Sequence, residues 1–208
     1  MNKFYIEYLD ISKPIADLDE YVGMEEIYML QKTHTNETSF NHSLFGRYLL
    51  RKALSKIDAD NFKSYKIKFG DNGKPYIEDV KDFYFNISHS YKAVSIIVSE
   101  KECGIDIEKI GFYKRDIAKR FFHIKEYNYL ETLDKELQSK EFYRIWTQKE
   151  AVVKYLGGGL SIGLDSFYIE KNKVINSLDN MSTACLSINS FIKTFSYEDY
   201  YVSYCIKI

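Results

Sequence analysis

The chain has 208 residues, 45% hydrophobic and 28% charged, which suits one large globular domain or two small ones with their own cores. A formal net charge of -1 argues against a general nucleic-acid footprint, so any anion must be held by locally placed cations. No apolar run reaches the ~20 residues of a membrane helix, and acidic residues break Met1–Asp10 too early for a signal-peptide core.

Residues 3–9 alternate loosely and predict a first strand. Over 37–57, Leu44, Phe45, Tyr48, Leu49 and Ala53 recur at helical spacing. Phe69-Gly70-Asp71-Asn72-Gly73-Lys74-Pro75-Tyr76 is a strong turn signal. Phe83–Ile87 and Ala93–Val98 read as two strands, followed by a turn at 99–102 and a strand around Asp106. Ile117–Phe122 and Lys125–Leu133 predict helices, and the polar stretch 134–140 predicts a loop. Glu141–Leu156 predicts a helix stopped by Gly157-Gly158-Gly159, and 166–170, 183–188, 191–197 and 200–207 predict strands. Each half thus carries one long helix and several strands, with a junction near 99–103. Cys103, Cys185 and Cys205 are odd in number and form no CxxC pair, which fits reduced thiols in a cytoplasmic protein.

Two separated motifs carry chemistry. In Cys103-Gly104-Ile105-Asp106-Ile107-Glu108, strand alternation puts Cys103, Ile105 and Ile107 on the core side and Gly104, Asp106 and Glu108 on the other. Two hard carboxylates on one face suit Mg2+, although an isolated D-x-E is more often a solvated strand face. In Trp146-Thr147-Gln148-Lys149-Glu150-Ala151-Val152-Val153-Lys154, Trp146, Glu150 and Lys154 lie at i, i+4, i+8, at the edge of a buried stripe of Phe142, Ile145, Val153 and Leu156. Alone, Glu150 and Lys154 would be a surface ion pair worth only about 0.3–0.5 kcal/mol. Together the motifs offer three acidic ligands and one cation, the equipment for holding a divalent metal against a phosphate.

Phe85-Asn86-Ile87-Ser88-His89-Ser90, then Gly104-Ile105-Asp106-Ile107-Glu108, then Ala118-Lys119-Arg120-Phe121-Phe122 with Glu126, then Trp146-Thr147-Gln148-Lys149-Glu150-Ala151 with Lys154 occur in that order. Over roughly 68–170 the chain resembles the 4'-phosphopantetheinyl transferases of the Sfp type. The resemblance implies an α+β pseudodimer of two similar halves, 1–102 and 103–208, each a mainly antiparallel sheet with a long helix, with the active site between them. It implies transfer of the phosphopantetheine arm of coenzyme A to a serine of an acyl, peptidyl or polyketide carrier protein, with adenosine 3',5'-bisphosphate released. Asp106, Glu108 and Glu150 would bind Mg2+, or Mn2+ on the same oxygen set. Lys154 would neutralise the pyrophosphate, and His89, Ser88 and Lys74 would contact coenzyme A. Glu150 or Glu126 would take the serine proton; for Glu126 a helix-capping role at the third position after His123 is equally open.

The resemblance also implies a monomer with no nucleic-acid or membrane partner. It places a basic and aromatic docking patch on Tyr113, Lys114, Arg115, Lys119, Arg120, Phe121 and Ile124. One departure stands out. Relatives place Lys or Arg in the N-terminal half for the 3'-phosphate, but 21–31 contain none and an arginine position is taken by His42. His42 would bind coenzyme A there, more strongly below neutral pH, with Lys32, His34, Arg47 and Arg51 as other substitutes. A coenzyme A or carrier-binding module without chemistry and a Mg2+-dependent phosphohydrolase are the alternatives.

Overall fold

The computed structural model describes residues 4–159, 162–176 and 189–208. It is an α+β structure built on antiparallel sheets. In the first sheet, β5 (Ala93–Ser99) lies between β1 (Phe4–Asp10) and β4 (Tyr84–Ser90). Strand β5 is buried along its whole length, so it shows no polar alternation. Val94, Ile96 and Val98 meet Leu44, Phe45, Tyr48 and Leu49 of helix α3, whereas Ala93 and Ile97 face the second sheet. Preceding α3 (Glu37–Ser55) are α1 (Leu18–Tyr21) and α2 (Met24–Thr33). Neither was evident from the sequence, because α2 buries only Leu30 and leaves Met24, Tyr28 and Met29 exposed. Asn36 caps α3 by accepting the Ser39 amide at 2.8 Å. The Phe69–Tyr76 turn joins β2 (Ile67–Phe69) to β3 (Pro75–Ile77), with Gly73 at φ 78.

In the second sheet, β10 (Tyr200–Lys207) lies between β6 (Cys103–Lys109) and β9 (Ser190–Tyr197). Cys103, Ile105 and Ile107 are fully buried against the first sheet, as the alternation predicts. Between β6 and β10 come α4 (Arg115–Phe121), α5 (Ile124–Glu131), α6 (Lys135–Leu156) and the hairpin β7 (Phe167–Glu170) and β8 (Lys173–Asn176). Helix α6 begins six residues before the predicted Glu141, so 134–140 is not the expected loop. Asp134 caps it by accepting the Leu137 amide at 2.9 Å, and Lys140 pairs with Glu136 at 2.8 Å on exposed turns. Capping and helix propensity there replace the apolar stripe that the pattern lacks. The predicted strand 183–188 and Cys185 lie outside the described residues, and Cys103 and Cys205 are free and buried. Among the described residues, no helix is long and apolar enough to cross a membrane.

Two contacts fix where α6 and β4 sit relative to β6. Side chains of β4 reach across to β6: Asn86 Oδ1 accepts the Ile105 amide at 2.9 Å, Ser88 Oγ that of Ile107 at 3.3 Å, and Ser90 Oγ that of Lys109 at 3.2 Å. Residues two apart share a strand face, so one polar row of β4 satisfies alternate amides of β6. On the Gly104 side, α6 comes so close that a Cβ at 104 would lie 2.3 Å from both the Ala151 carbonyl oxygen and the Tyr155 nitrogen. Both obstacles are backbone and cannot turn away. Gly104→Ala is expected to destabilise the fold by about 2–3 kcal/mol, read as a lower urea midpoint at unchanged slope. A midpoint unchanged from wild type would show that α6 does not rest on Gly104.

Candidate active site

The Gly104-Asp106-Glu108 face is covered, not solvated. Asp106 is only 4% exposed beneath α6. Its Oδ1 accepts from Lys154 Nζ at 2.6 Å and from Ser88 Oγ at 2.8 Å, and Lys154 also donates to Ser88 at 2.8 Å. Residues from β4, β6 and α6 therefore close on one point. One step along β6, Glu108 accepts from Ser90 Oγ at 2.7 Å. Lys154 thus pairs with Asp106 of the strand, not with Glu150 on its own helix as the i,i+4 spacing suggests.

Burial pushes the Asp106 carboxyl above the ordinary carboxylate range, against the pull of Lys154 and Ser88. Glu108 is raised by burial, with Ser90 lowering it and Asp106 raising it further. Burial also raises Glu150, and the charges of Asp106 and Glu108 add to that shift. The three carboxyls therefore sense one another, so a cation among them would be favoured. As the side chains stand, no group of three His, Cys, Asp or Glu among the described residues is arranged to hold a metal ion. Yet Asp106 Oδ2 is buried with no hydrogen-bond partner, an expensive condition that a metal ion relieves. This orphaned oxygen, beside two more carboxylates and no soft ligand, fits Mg2+ chemically.

Two clefts flank the cluster and share Pro75 at their rims. One, about 500 Å³, carries Glu150 and Lys154 with Phe121, Val153, Ile162 and Leu164, a largely apolar lining. The other, also about 500 Å³, is lined by His34, His42 and His89 with Arg47, Phe69 and Ile87. His42 is buried, donates through Nε2 to the Tyr91 carbonyl at 2.9 Å, and stacks on His89 with centroids 4.3 Å apart. Burial of its face, then His42 and Lys154, lower the His89 pKa, so its imidazole is neutral at pH 7.

Two of the expected residues are engaged elsewhere. Lys74 lines the apolar cleft, but its ammonium donates to the Cys103 and Tyr155 carbonyls at 3.0 Å each, tying the turn to β6 and the end of α6. Glu126 is in a capping box: its Oε2 accepts the His123 amide at 3.2 Å, and its Oε1 accepts the Ile169 amide at 3.1 Å. It also pairs at 2.7 Å with Lys149, which is fully buried. Lys149 donates onward to the Leu164 and Phe167 carbonyls at 2.7 and 2.5 Å, holding the cleft wall around Leu164 against α6. The capping half of the Glu126 expectation is what the structure contains, and Glu150 and Asp165 are the carboxylates that line the cleft. Sequence reasoning missed Lys149, for which a lysine inside an otherwise buried helical stripe was the available signal, and it named Ser88 as a coenzyme A contact without seeing that Asn86, Ser88 and Ser90 form one row bonded to β6.

In the expected docking patch, Lys114, Arg115, Lys119, Arg120 and Ile124 are exposed, and Phe112, not anticipated, is 93% exposed beside them. Arg115 is paired with Glu131, and Phe121 packs edge-on to Trp146 beside the apolar cleft.

Comparison with known proteins gives one consistent family. Residues 102–205, spanning β6 to β10, match the family profile of the 4'-phosphopantetheinyl transferase superfamily. A 4'-phosphopantetheinyl transferase of Bacillus subtilis is 37% identical over 171 residues, covering 80% of this chain and 75% of the relative. The 4'-phosphopantetheinyl transferase Sfp of Bacillus subtilis strain 168 is 35% identical over 77% of this chain and 71% of its own length. The 4'-phosphopantetheinyl transferase AcpT of Escherichia coli K12 is 32% identical over 73% of this chain and 77% of its own. With a matching profile across the carboxylate strand and the Glu150 helix, and relatives aligned over most of their length, the chain belongs to the 4'-phosphopantetheinyl transferase superfamily.

Proposed function

We propose that the protein transfers the 4'-phosphopantetheine arm of coenzyme A to a serine of an acyl, peptidyl or polyketide carrier protein, at the cluster of Asp106, Glu108, Glu150 and Lys154. The observation that carries this is the buried Asp106, with one oxygen paired to Lys154 and the other unpartnered. Asp106, Glu108 and Glu150 would hold Mg2+, which when bound supplies neutralisation of the pyrophosphate charge. Lys154 is 28% exposed and stands at the mouth of the apolar cleft, so its ammonium can turn from Asp106 to a pyrophosphate oxygen. The serine oxygen attacks the phosphorus nearer the pantetheine; that P–O bond forms as the bond to adenosine 3',5'-bisphosphate breaks. The serine proton passes to Glu150, the carboxylate of the cluster that lines the apolar cleft.

The apolar cleft receives the pantetheine arm, and the histidine cleft receives the nucleotide end, where His42, His89 and Phe69 offer ring surfaces and imidazole hydrogen bonds. Residues 1–102 and 103–208 act as two similar halves of a pseudodimer. Asn86, Ser88 and Ser90 come from one and the carboxylates and Lys154 from the other, so a monomer holds the complete site. The carrier docks on the exposed cations of α4 with Phe112 and Ile124.

The test is carrier-dependent release of adenosine 3',5'-bisphosphate from coenzyme A with Mg2+, followed by chromatography. Lys154→Met is expected to lower kcat/KM by about a hundred-fold or more through loss of charge aimed at the transferring group. Release without an apo carrier, or full activity of Lys154→Met, would overturn the assignment.

A further inference from the structure

Among the described residues, the histidine cleft is lined by one arginine and no lysine, and that arginine is already taken. Arg47 Nε lies 3.1 Å from Glu26 Oε1, and Glu26 also accepts from Arg51 at 3.2 Å through each oxygen. Glu26 projects from α2, the helix that meets α3 along one side of this cleft. The other polar side chains of the lining include three histidines, each already engaged within the fold. His34 donates from Nδ1 to the Leu30 carbonyl at 2.9 Å while Ser43 Oγ sits 2.7 Å from Nε2. His42 is bonded to the Tyr91 carbonyl, and His89 has a lowered pKa. Lys63, Lys66 and Lys68 line the adjoining groove that begins beyond Arg47, not this cleft, and Lys68 lies near Glu78 at 3.7 Å.

A ribose 3'-phosphate is a dianion at neutral pH and binds tightly where a guanidinium can grip it with paired hydrogen bonds. Here the one guanidinium within reach would have to leave a carboxylate first, and a carboxylate left at the rim would repel the phosphate. We propose that Glu26 is a specificity residue that withholds Arg47 from the 3'-phosphate, so that the enzyme uses coenzyme A and 3'-dephospho-coenzyme A with similar efficiency. This rests on the reading that the histidine cleft takes the nucleotide end.

The geometry makes Glu26 separable from folding. Arg51 has two further acceptors, the Phe62 and Tyr65 carbonyls at 2.8 and 2.9 Å, so it stays anchored when Glu26 loses its charge. Arg47, by contrast, has Glu26 as its ion-pair partner and is freed.

The experiment measures kcat/KM for coenzyme A and for 3'-dephospho-coenzyme A with one apo carrier protein and Mg2+. In wild type the ratio of the two is expected to lie within about ten-fold of unity. Glu26→Gln is expected to raise that ratio by roughly ten-fold, mainly through KM for coenzyme A. Glu26→Gln with Arg47→Met is expected to return it to the wild-type value, which a general loosening of α2 would not do. A wild-type preference for coenzyme A above about a hundred-fold, or a ratio unmoved in a folded Glu26→Gln variant, overturns the inference and leaves the transferase intact. No transfer from either donor would instead overturn the transferase reading itself.

Discussion

Asp106→Asn is expected to lower kcat by about a thousand-fold while the protein remains folded. The substitution keeps the shape and an oxygen for Ser88, but removes the charge that faces Lys154 and replaces the orphaned Oδ2 with an NH2 group, which cannot ligate a metal. Mg2+ should raise the melting temperature of wild type and not of this variant, because a ligand that binds only the folded state stabilises it by mass action. Folding itself should survive, since burial already makes the charged form of Asp106 costly.

The same burial predicts a pH dependence. Asp106, Glu108 and Glu150 all have folded-state pKa values above their ordinary ones, chiefly through burial. Between the ordinary and raised values the folded state binds more protons than the unfolded state. In EDTA, these groups therefore make stability fall as pH rises through that interval. Asp106→Asn removes one of them and should make the fall shallower; the check is urea denaturation from pH 4 to 8 with EDTA present. An equal or steeper fall in the variant would mean that Asp106 ionises normally in the fold.

Lys149→Met is expected to destabilise the protein by about 3–5 kcal/mol, the cost of leaving a buried charge without its partner. The ammonium is fully buried and joins Glu126 to the Leu164 and Phe167 carbonyls, so its loss strands one carboxylate and two carbonyls at once. Glu126→Gln should cost less, because the amide oxygen can still accept from the His123 or Ile169 amide. It should also keep kcat within about ten-fold of wild type, as expected of a group that shapes the cleft wall without touching the reaction. A thousand-fold loss of kcat in Glu126→Gln at unchanged stability would place Glu126 in the chemistry after all.

The parts of this site legible in the sequence were those governed by local periodicity. Alternation along 103–108 separates the core residues from Asp106 and Glu108, and the helical line through Trp146, Glu150 and Lys154 runs beside the buried stripe. What periodicity cannot supply is which elements are neighbours. The D-x-E reads as a solvated face until α6 is laid on Gly104, and the row Asn86, Ser88 and Ser90 has no assigned partners until β4 is placed beside β6. Lys149 looked like one more polar helix residue, because its three acceptors come from α5, β7 and the turn before it. Helix α2 escaped because Met24, Tyr28 and Met29 face outward and blur its apolar stripe, and the start of α6 because its first turns are polar and held by a cap.

The central claim is that the cluster of Asp106, Glu108, Glu150 and Lys154 moves phosphopantetheine onto a carrier serine. Intact-mass spectrometry of apo acyl, peptidyl and polyketide carrier proteins, incubated with this protein, coenzyme A and Mg2+, tests it most directly. The account predicts that at least one carrier gains a single phosphopantetheine, that EDTA abolishes the gain, and that a carrier with its acceptor serine replaced by alanine shows none. No gain on any of the three, with the same carriers fully modified by a relative such as Sfp in parallel, would contradict it.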